Sequence, residues 1–220
     1  KDSRASFDEG VEQVIRLLSE EDVTCEGKFH SFKNVTSLPR PVQQPLPPCW
    51  TAAVATPATL ITAAQRGHNI MLIPMAGHVT RGLIETYNDA WTEAGRPGRG
   101  RVMLAHHMFC HEDADEAVRI ARDPLNHYLR SLVAAASDWM GGASSDDYPG
   151  YDKIIAELDK ENFDSQVAKG VGWIGTPERI IEMIEGYVDL VGGFDVASLQ
   201  VNFNTISYDD AAASMRLFGE

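Results

Sequence analysis

The start of the chain carries apolar side chains at the spacing of an amphipathic helix. These apolar positions are Phe7, Val11, Val14, Ile15 and Leu18. Charged residues such as Glu9 and Arg16 fall on the opposite side of the same helical pattern. The pattern therefore predicts a helix over residues 4–20 with its apolar face buried.

The helical pattern stops at residue 21, and residues 21–48 have the composition of an irregular connection. Five prolines interrupt this segment, and each fixes φ and removes a backbone hydrogen-bond donor. We expect a small hairpin around Phe29 to Phe32 within it. A tether between domains is the alternative, but Phe32, Val35 and Leu38 make the segment too apolar for a free linker.

From Cys49 onward, short apolar runs alternate with amphipathic stretches that carry helix-capping residues. The strand-like runs are residues 49–54, 69–74, 102–110 and 196–203. Gly67 and Gly95 mark helix ends, and Thr176-Pro177 marks a helix start. This alternation predicts a parallel α/β sheet, either open or closed as a (β/α) barrel. Four strands are about half of the eight that a closed barrel needs.

Residues 137–170 interrupt the alternation. The first part of this insertion is rich in Gly, Ser and Asp, with Trp139 and Tyr148 among them. Long insertions of this kind in a regular fold are usually lids or binding loops. We expect a lid-like insertion whose residues 137–166 are the most irregular part of the chain.

Charge and composition exclude several classes of partner. The 220 residues carry 32 acidic and 19 basic side chains, a net charge of −13. Such a surface repels nucleic acid and anionic lipid, so neither is an expected partner. Apolar runs are strand-sized, and the charged start of the chain does not resemble a signal peptide. Cys25, Cys49 and Cys110 lie far apart, which favours reduced thiols in a cytoplasmic protein and no metal site.

Small residues form the turn between the first strand of this series and its helix. The turn runs from Ala52 to Thr59, and a helix N-terminus offers unpaired N–H groups and the positive end of the helix dipole. The hydroxyls of Thr56 and Thr59 add donors, so the turn could hold a phosphate. Helix capping by Thr56 before Pro57 is the simpler interpretation of the residues alone.

Two consecutive histidines lie near the carboxyl end of the third strand. Because side chains alternate along a strand, one of His106 and His107 faces the crevice and the other faces the helices. Sites in parallel α/β folds collect at the carboxyl ends of strands, where a histidine could donate to an oxyanion or move a proton. For either histidine alone, a buried structural role is the commoner case. His78 and His111 lie in turns and are weaker candidates.

An ordered series of short motifs resembles the luciferase-like, flavin-dependent monooxygenases, a (β/α)8 barrel family. The motifs are Ser3-Arg4, Phe7-Asp8-Glu9-Gly10, Glu26-Gly27-Lys28-Phe29, Pro39-Arg40-Pro41-Val42-Gln43, Pro47-Pro48-Cys49-Trp50, Ala63-Ala64-Gln65-Arg66-Gly67, Gly175-Thr176-Pro177-Glu178 and Met215-Arg216-Leu217-Phe218. The resemblance covers nearly the whole chain and implies that residues 1–220 are the C-terminal part of one barrel domain. The series of motifs before Trp50 also resembles a subgroup found in natural-product biosynthesis.

The resemblance implies an enzyme that uses reduced FMN and O2 to oxidise a small organic substrate. In the family, the loop after the fifth strand and the following helix hold the flavin phosphate. Ala55, Thr56 and Thr59 occupy that place, so the resemblance favours phosphate binding over capping. It also implies a separate flavin reductase and a homodimer of the full-length protein.

The resemblance assigns the catalytic role to His107. The sulfonate branch of the family has an active-site histidine on the seventh strand, and counting back from Asp115-Glu116-Ala117 places His107 there. That branch has an arginine two residues earlier, where this chain has Ala105, which argues against sulfonate substrates. The insertion before Gly175 corresponds to the family's mobile loop.

One departure and two alternatives accompany the resemblance. Nothing in the chain matches strands one to four of the family, which carry the other half of the flavin pocket. A coenzyme F420-dependent oxidoreductase shares the barrel and transfers hydride, but a net charge of −13 disfavours the acidic tail of F420. A non-catalytic flavin-binding barrel is the second alternative.

Overall fold

The computed structural model describes residues 2–136 and 151–220. These residues fall into two compact units, one ending at Pro48 and the other beginning at Cys49. The predicted lid contains residues 137–150, which lie outside the described residues.

The first unit combines one helix with a hairpin. Helix α1 (Ser3–Ser19) is followed by β1 (Val23–Glu26) and β2 (Ser31–Val35), which pair antiparallel. The predicted helix and the predicted hairpin are both confirmed. The expectation that α1 buries its apolar face is wrong, because Phe7 and Val14 remain 54% and 53% exposed.

A carboxylate on the polar side of α1 holds the hairpin turn. The Glu9 carboxylate accepts hydrogen bonds from the backbone N–H groups of Lys28, Phe29 and His30 at 2.7, 3.0 and 2.8 Å. Gln13 also donates from α1 to the carbonyl of His30 at 3.0 Å. The polar side of α1 makes these contacts because the turn presents backbone N–H donors to Glu9 and a backbone carbonyl acceptor to Gln13.

Within its described residues, the second unit has five parallel strands. They are β3 (Trp50–Ala53), β4 (Asn69–Leu72), β5 (Val102–Cys110), β6 (Gly172–Gly175) and β7 (Val196–Gln200). The order is β3-β4-β5, and β5 then pairs with β7 through Met103–His107 and with β6 through His107–Cys110. All four predicted strands are present and parallel. The sequence reading missed β6, because its short apolar run follows directly on the expected insertion.

Helices connect the strands of the second unit. They are α2 (Pro57–Arg66), α3 (Gly77–Glu93), α4 (Ala114–Ala135), α5 (Tyr151–Leu158), α6 (Phe163–Ala168), α7 (Pro177–Val191) and α8 (Tyr208–Gly219). Helix α2 ends at Gly67 in the left-handed region (φ 73°), and Thr176 caps α7 as predicted. The expectation of irregular structure over residues 137–166 is wrong for residues 151–158 and 163–166, which are helical. Asn162 and Ser165 form a capping box that starts α6.

Apolar cores form on both faces of the sheet. On one face, Val102 and Leu104 of β5 pack with buried side chains of α2, α3 and α7, Leu60, Tyr87 and Tyr187 among them. On the other face, Phe109 packs with Leu125 of α4 and with Phe203. Because side chains alternate along β5, its even-numbered residues face α2, α3 and α7 and its odd-numbered residues face the opposite side. We call the even-numbered side the helix-packed face, after α2, α3 and α7. The odd-numbered side, which contacts α4, is the opposite face.

Candidate active site

Strand register places the two predicted site elements at the same edge of the sheet. Ala53 pairs with Leu72, and Leu72 pairs with Leu104, so these residues form one row across β3, β4 and β5. Thr56 lies three residues beyond this row on the β3 side, and His107 lies three residues beyond it on β5. Both therefore lie on the carboxyl side of this row, and β4 separates the two strands that carry them.

The turn after β3 is closed by one backbone hydrogen bond, from the N–H of Thr59 to the carbonyl of Thr56 at 3.0 Å. Thr56 is the N-cap of α2 in extended conformation, but its hydroxyl makes no capping hydrogen bond. Pro57 occupies the first helical position, and the first turn of α2 carries no acidic residue. Ala55 and Thr59 are half-buried. An anion at this helix start would meet the positive end of the dipole without a competing carboxylate from the first turn.

His106 belongs to the helix-packed face. Its ring is fully buried and stacks on Trp173 of β6 with ring centroids 3.8 Å apart and planes 14° apart. The ring also meets the edge of Tyr187 at 5.3 Å. Its Nδ1 lies 3.0 Å from the carbonyl of Val171, so Nδ1 carries the proton and donates. Burial lowers the pKa of His106 to about 4. His106 is therefore held in the core by ring stacking and a backbone hydrogen bond, which is the structural role expected for one of the two histidines.

His107 belongs to the opposite face. Its ring contacts the ring of Tyr128 on α4 edge-on at 4.7 Å and the ring of Phe203 at 5.2 Å. Its Nε2 is buried and has no hydrogen-bond partner among the described residues. Burial lowers the pKa of His107 to about 4, and hydrogen bonding with the Gln200 side chain opposes this shift. The imidazole is therefore neutral near pH 7 and can accept a proton or share a hydrogen bond.

Three residues near His107 were not predicted from the sequence. Tyr128, Phe203 and Gln200 surround His107, and they come from α4, the segment after β7 and β7 itself. In the sequence, Tyr128 and Phe203 show only the ordinary spacing of apolar residues, which does not indicate a site. Gln200 could have been found, because its register with His107 follows once the two strands are known to pair.

The remaining candidates have other surroundings. His78 is exposed at the start of α3. His111 accepts a hydrogen bond from the backbone N–H of Asp113 at 3.0 Å, as a turn residue does. Trp91 is part of the core, and Trp139 lies outside the described residues. Across residues 2–136 and 151–220, no cluster of three potential metal ligands occurs, and no helix is long and apolar enough to cross a bilayer.

Comparison with known proteins gives a consistent result. The family model described as luciferase-like monooxygenase matches residues 1–192. The oxygenase component of a flavin-dependent trigonelline monooxygenase from Acinetobacter baylyi is 24% identical over 210 residues, covering 92% of this chain and 55% of that protein.

Solved structures share the fold. Monooxygenase RslO1 from Streptomyces bottropensis superposes with a TM-score of 0.75 and 31% identity, over 99% of this chain and 60% of that one. The oxygenating constituent of 3,6-diketocamphane monooxygenase from Pseudomonas putida, solved with FMN, gives 0.67 at 20% identity over 96% of this chain and 58% of that one. A coenzyme F420-dependent tetrahydromethanopterin reductase from Methanopyrus kandleri gives 0.66 at 16% identity, over 97% of this chain and 61% of that one. The chain thus has the fold of part of a (β/α)8 barrel and spans little more than half the length of the proteins it matches.

Proposed function

This chain belongs to the luciferase-like monooxygenase family, and we propose that it forms part of an enzyme that uses reduced FMN and O2 to oxidise a small organic substrate. The observation that carries this proposal is that Thr56, which follows β3, and His107, which lies on β5, are each three residues beyond the row Ala53–Leu72–Leu104 along their own segments. A phosphate anchor and an ionisable ring at one edge of a parallel sheet suit a cofactor bound between them.

The residues present fit an FMN phosphate. The helix start at Thr56 has an uncommitted hydroxyl and no acidic residue in its first turn, and Ala55 leaves room for close approach to the backbone. We propose that Ala55, Thr56 and Thr59 hold the phosphate, with a helix-dipole contribution of roughly 0.3–1 kcal/mol. Reduced FMN, when bound, supplies the reaction with O2.

His107 would act on the oxygen or substrate as a neutral ring. Its pKa of about 4 leaves Nε2 or Nδ1 free to accept a proton that the reaction releases. The rings of Tyr128 and Phe203 exclude water from one side of the imidazole. We assign His107 as the catalytic residue on this basis.

Three further features belong to the proposal. A separate flavin reductase supplies reduced FMN, in line with the name of the Acinetobacter relative as an oxygenase component. The full-length protein is a homodimer in the cytoplasm, and its small organic substrate belongs to natural-product biosynthesis. Size-exclusion chromatography with light scattering tests the dimer, and a monomer would contradict it.

The decisive test separates phosphate binding from chemistry in the complete enzyme. Thr59→Glu places a negative charge beside the phosphate and should weaken FMN binding roughly tenfold. Thr62→Glu is the matched control, because Thr62 lies one turn further along α2 and its hydroxyl already bonds the carbonyl of Ala58 at 2.9 Å. His107→Ala should retain FMN affinity and lose turnover.

Fluorescence titration with FMN measures the affinity, and oxygen consumption with a reductase measures the turnover. Loss of FMN affinity in His107→Ala with none in Thr59→Glu would show that the two roles are misassigned. Tight binding of F420 with no FMN binding would favour the hydride-transferring alternative. FMN binding without turnover on any substrate would favour the non-catalytic barrel.

A further inference from the structure

His107 has one polar neighbour that is placed by strand pairing. His107 of β5 is the register partner of Gln200 of β7. Paired residues on adjacent parallel strands direct their side chains to the same face of the sheet. The Gln200 amide therefore lies beside the imidazole on the opposite face.

The other neighbours of the imidazole are mainly aromatic surfaces. Tyr128 and Phe203 present ring edges or faces to His107 at 4.7 and 5.2 Å. Ionisable groups next to the ring are His106, its neighbour on β5, and the Tyr128 phenol on α4. The Gln200 side chain differs from these rings because an amide can both donate to and accept from an imidazole nitrogen.

Gln200 contributes little to the core. Its side chain is exposed, whereas Nε2 of His107 is buried without a partner. Changing Gln200 therefore alters the electrostatic surroundings of the imidazole without opening a cavity. Hydrogen bonding with Gln200 raises the pKa of His107 against the lowering effect of burial.

We infer that Gln200 is a positioning residue that fixes the orientation and proton position of the His107 imidazole for the reaction. This inference rests on the proposed function of His107. A neutral imidazole has two tautomers, and an amide oxygen that accepts from one ring nitrogen favours the tautomer with its proton on that nitrogen. The other nitrogen then has a defined protonation state when it meets the substrate.

The test follows the His107 ring by NMR in the complete enzyme with isotope-labelled histidine, the His107→Gln variant identifying the signal. Gln200→Leu should lower the pKa of His107 further and change its tautomer ratio, and Gln200→Glu should raise the pKa because an anion favours the imidazolium. Ser198→Ala is the matched control, since Ser198 lies two residues earlier on the same face of β7 and is also exposed.

Turnover supplies the second readout. Gln200→Leu should lower kcat by up to roughly a hundredfold while FMN affinity stays unchanged. An unaltered His107 titration and tautomer in Gln200→Leu would overturn the inference whatever the turnover. Full turnover in His107→Ala would instead overturn the catalytic assignment, and the titration shifts would still distinguish the two failures.

Discussion

Two adjacent residues of β5 occupy contrasting environments. His106 lies on the helix-packed face, stacked on Trp173 with Nδ1 bonded to the carbonyl of Val171. His107 lies on the opposite face, against the rings of Tyr128 and Phe203 and with an exposed glutamine as its register partner, while Nε2 of both histidines is buried without a hydrogen-bond partner among the described residues. The same side chain is held by ring stacking and a backbone hydrogen bond in one position and is the proposed catalytic group in the next. The alternation of a strand is enough to separate stability from chemistry.

The largest test of this contrast removes the stacking partner of His106. Trp173 is 1% exposed, so Trp173→Ala should lower the free energy of unfolding by about 3–5 kcal/mol. Met103→Ala changes a half-buried residue on the opposite face of β5 and should cost less than half as much. Urea denaturation measures both, and equal losses would show that the two faces contribute alike.

Lowering the pH should give the next largest change in the free energy of unfolding. Burial lowers the pKa of His106 from 6.5 to about 4, so the unfolded chain binds a proton before the folded one does as pH falls. The contribution of His106 to stability is therefore full above about pH 6.5 and falls by about 3 kcal/mol on the way to pH 4.

Variants can divide that pH dependence between the two histidines. His107 has the same lowered pKa and contributes in the same range. In a His107→Gln background, the part owed to His106 should remain, and adding His106→Gln should flatten the curve. Thermal unfolding followed from pH 7.5 to 4 measures the slope. A slope that persists in the double variant would mean that other groups cause it.

The smallest expected loss of stability comes from an ion pair in the segment just before β5. Arg99 pairs with Asp195 at 2.6 Å, but the Arg99 side chain is 66% exposed. Arg99→Ala should therefore cost at most about 1 kcal/mol in the same denaturation experiment. Asp195→Ala should cost more, because Asp195 also accepts from the backbone N–H of Val102 at 2.9 Å. A larger loss for Arg99→Ala than for Asp195→Ala would contradict this ranking.

Sequence patterns predicted the periodic parts of the fold. Strands such as residues 69–74 carried strong apolar runs, and capped helices such as the one after Thr176-Pro177 began where their residues indicated. Strand β6 was missed because four residues that begin and end with glycine give too short a signal beside an insertion. The exposed apolar side of α1 was missed because periodicity shows which residues share a face and does not show what covers it.

The candidate site was predicted only in outline. Turn composition and the position of His107 could be seen in the sequence, since both lie next to predicted strand ends. Tyr128 and Phe203 reach His107 through tertiary packing, from 21 and 96 residues along the chain, and no local pattern encodes that meeting. Gln200 required the pairing of β5 with β7, which depends on sheet order.

The Glu9 carboxylate in the first unit has a consequence for the motions of its hairpin. Partial burial opposes ionisation, but hydrogen bonds from the backbone of His30, Phe29 and Lys28 lower the pKa of Glu9 overall. Three consecutive amide protons thus share one acceptor on a different element. They can exchange with solvent only when that carboxylate leaves, so they open together as one cooperative event rather than fraying singly. A single side chain on a helix thereby sets the exchange rate of an entire turn.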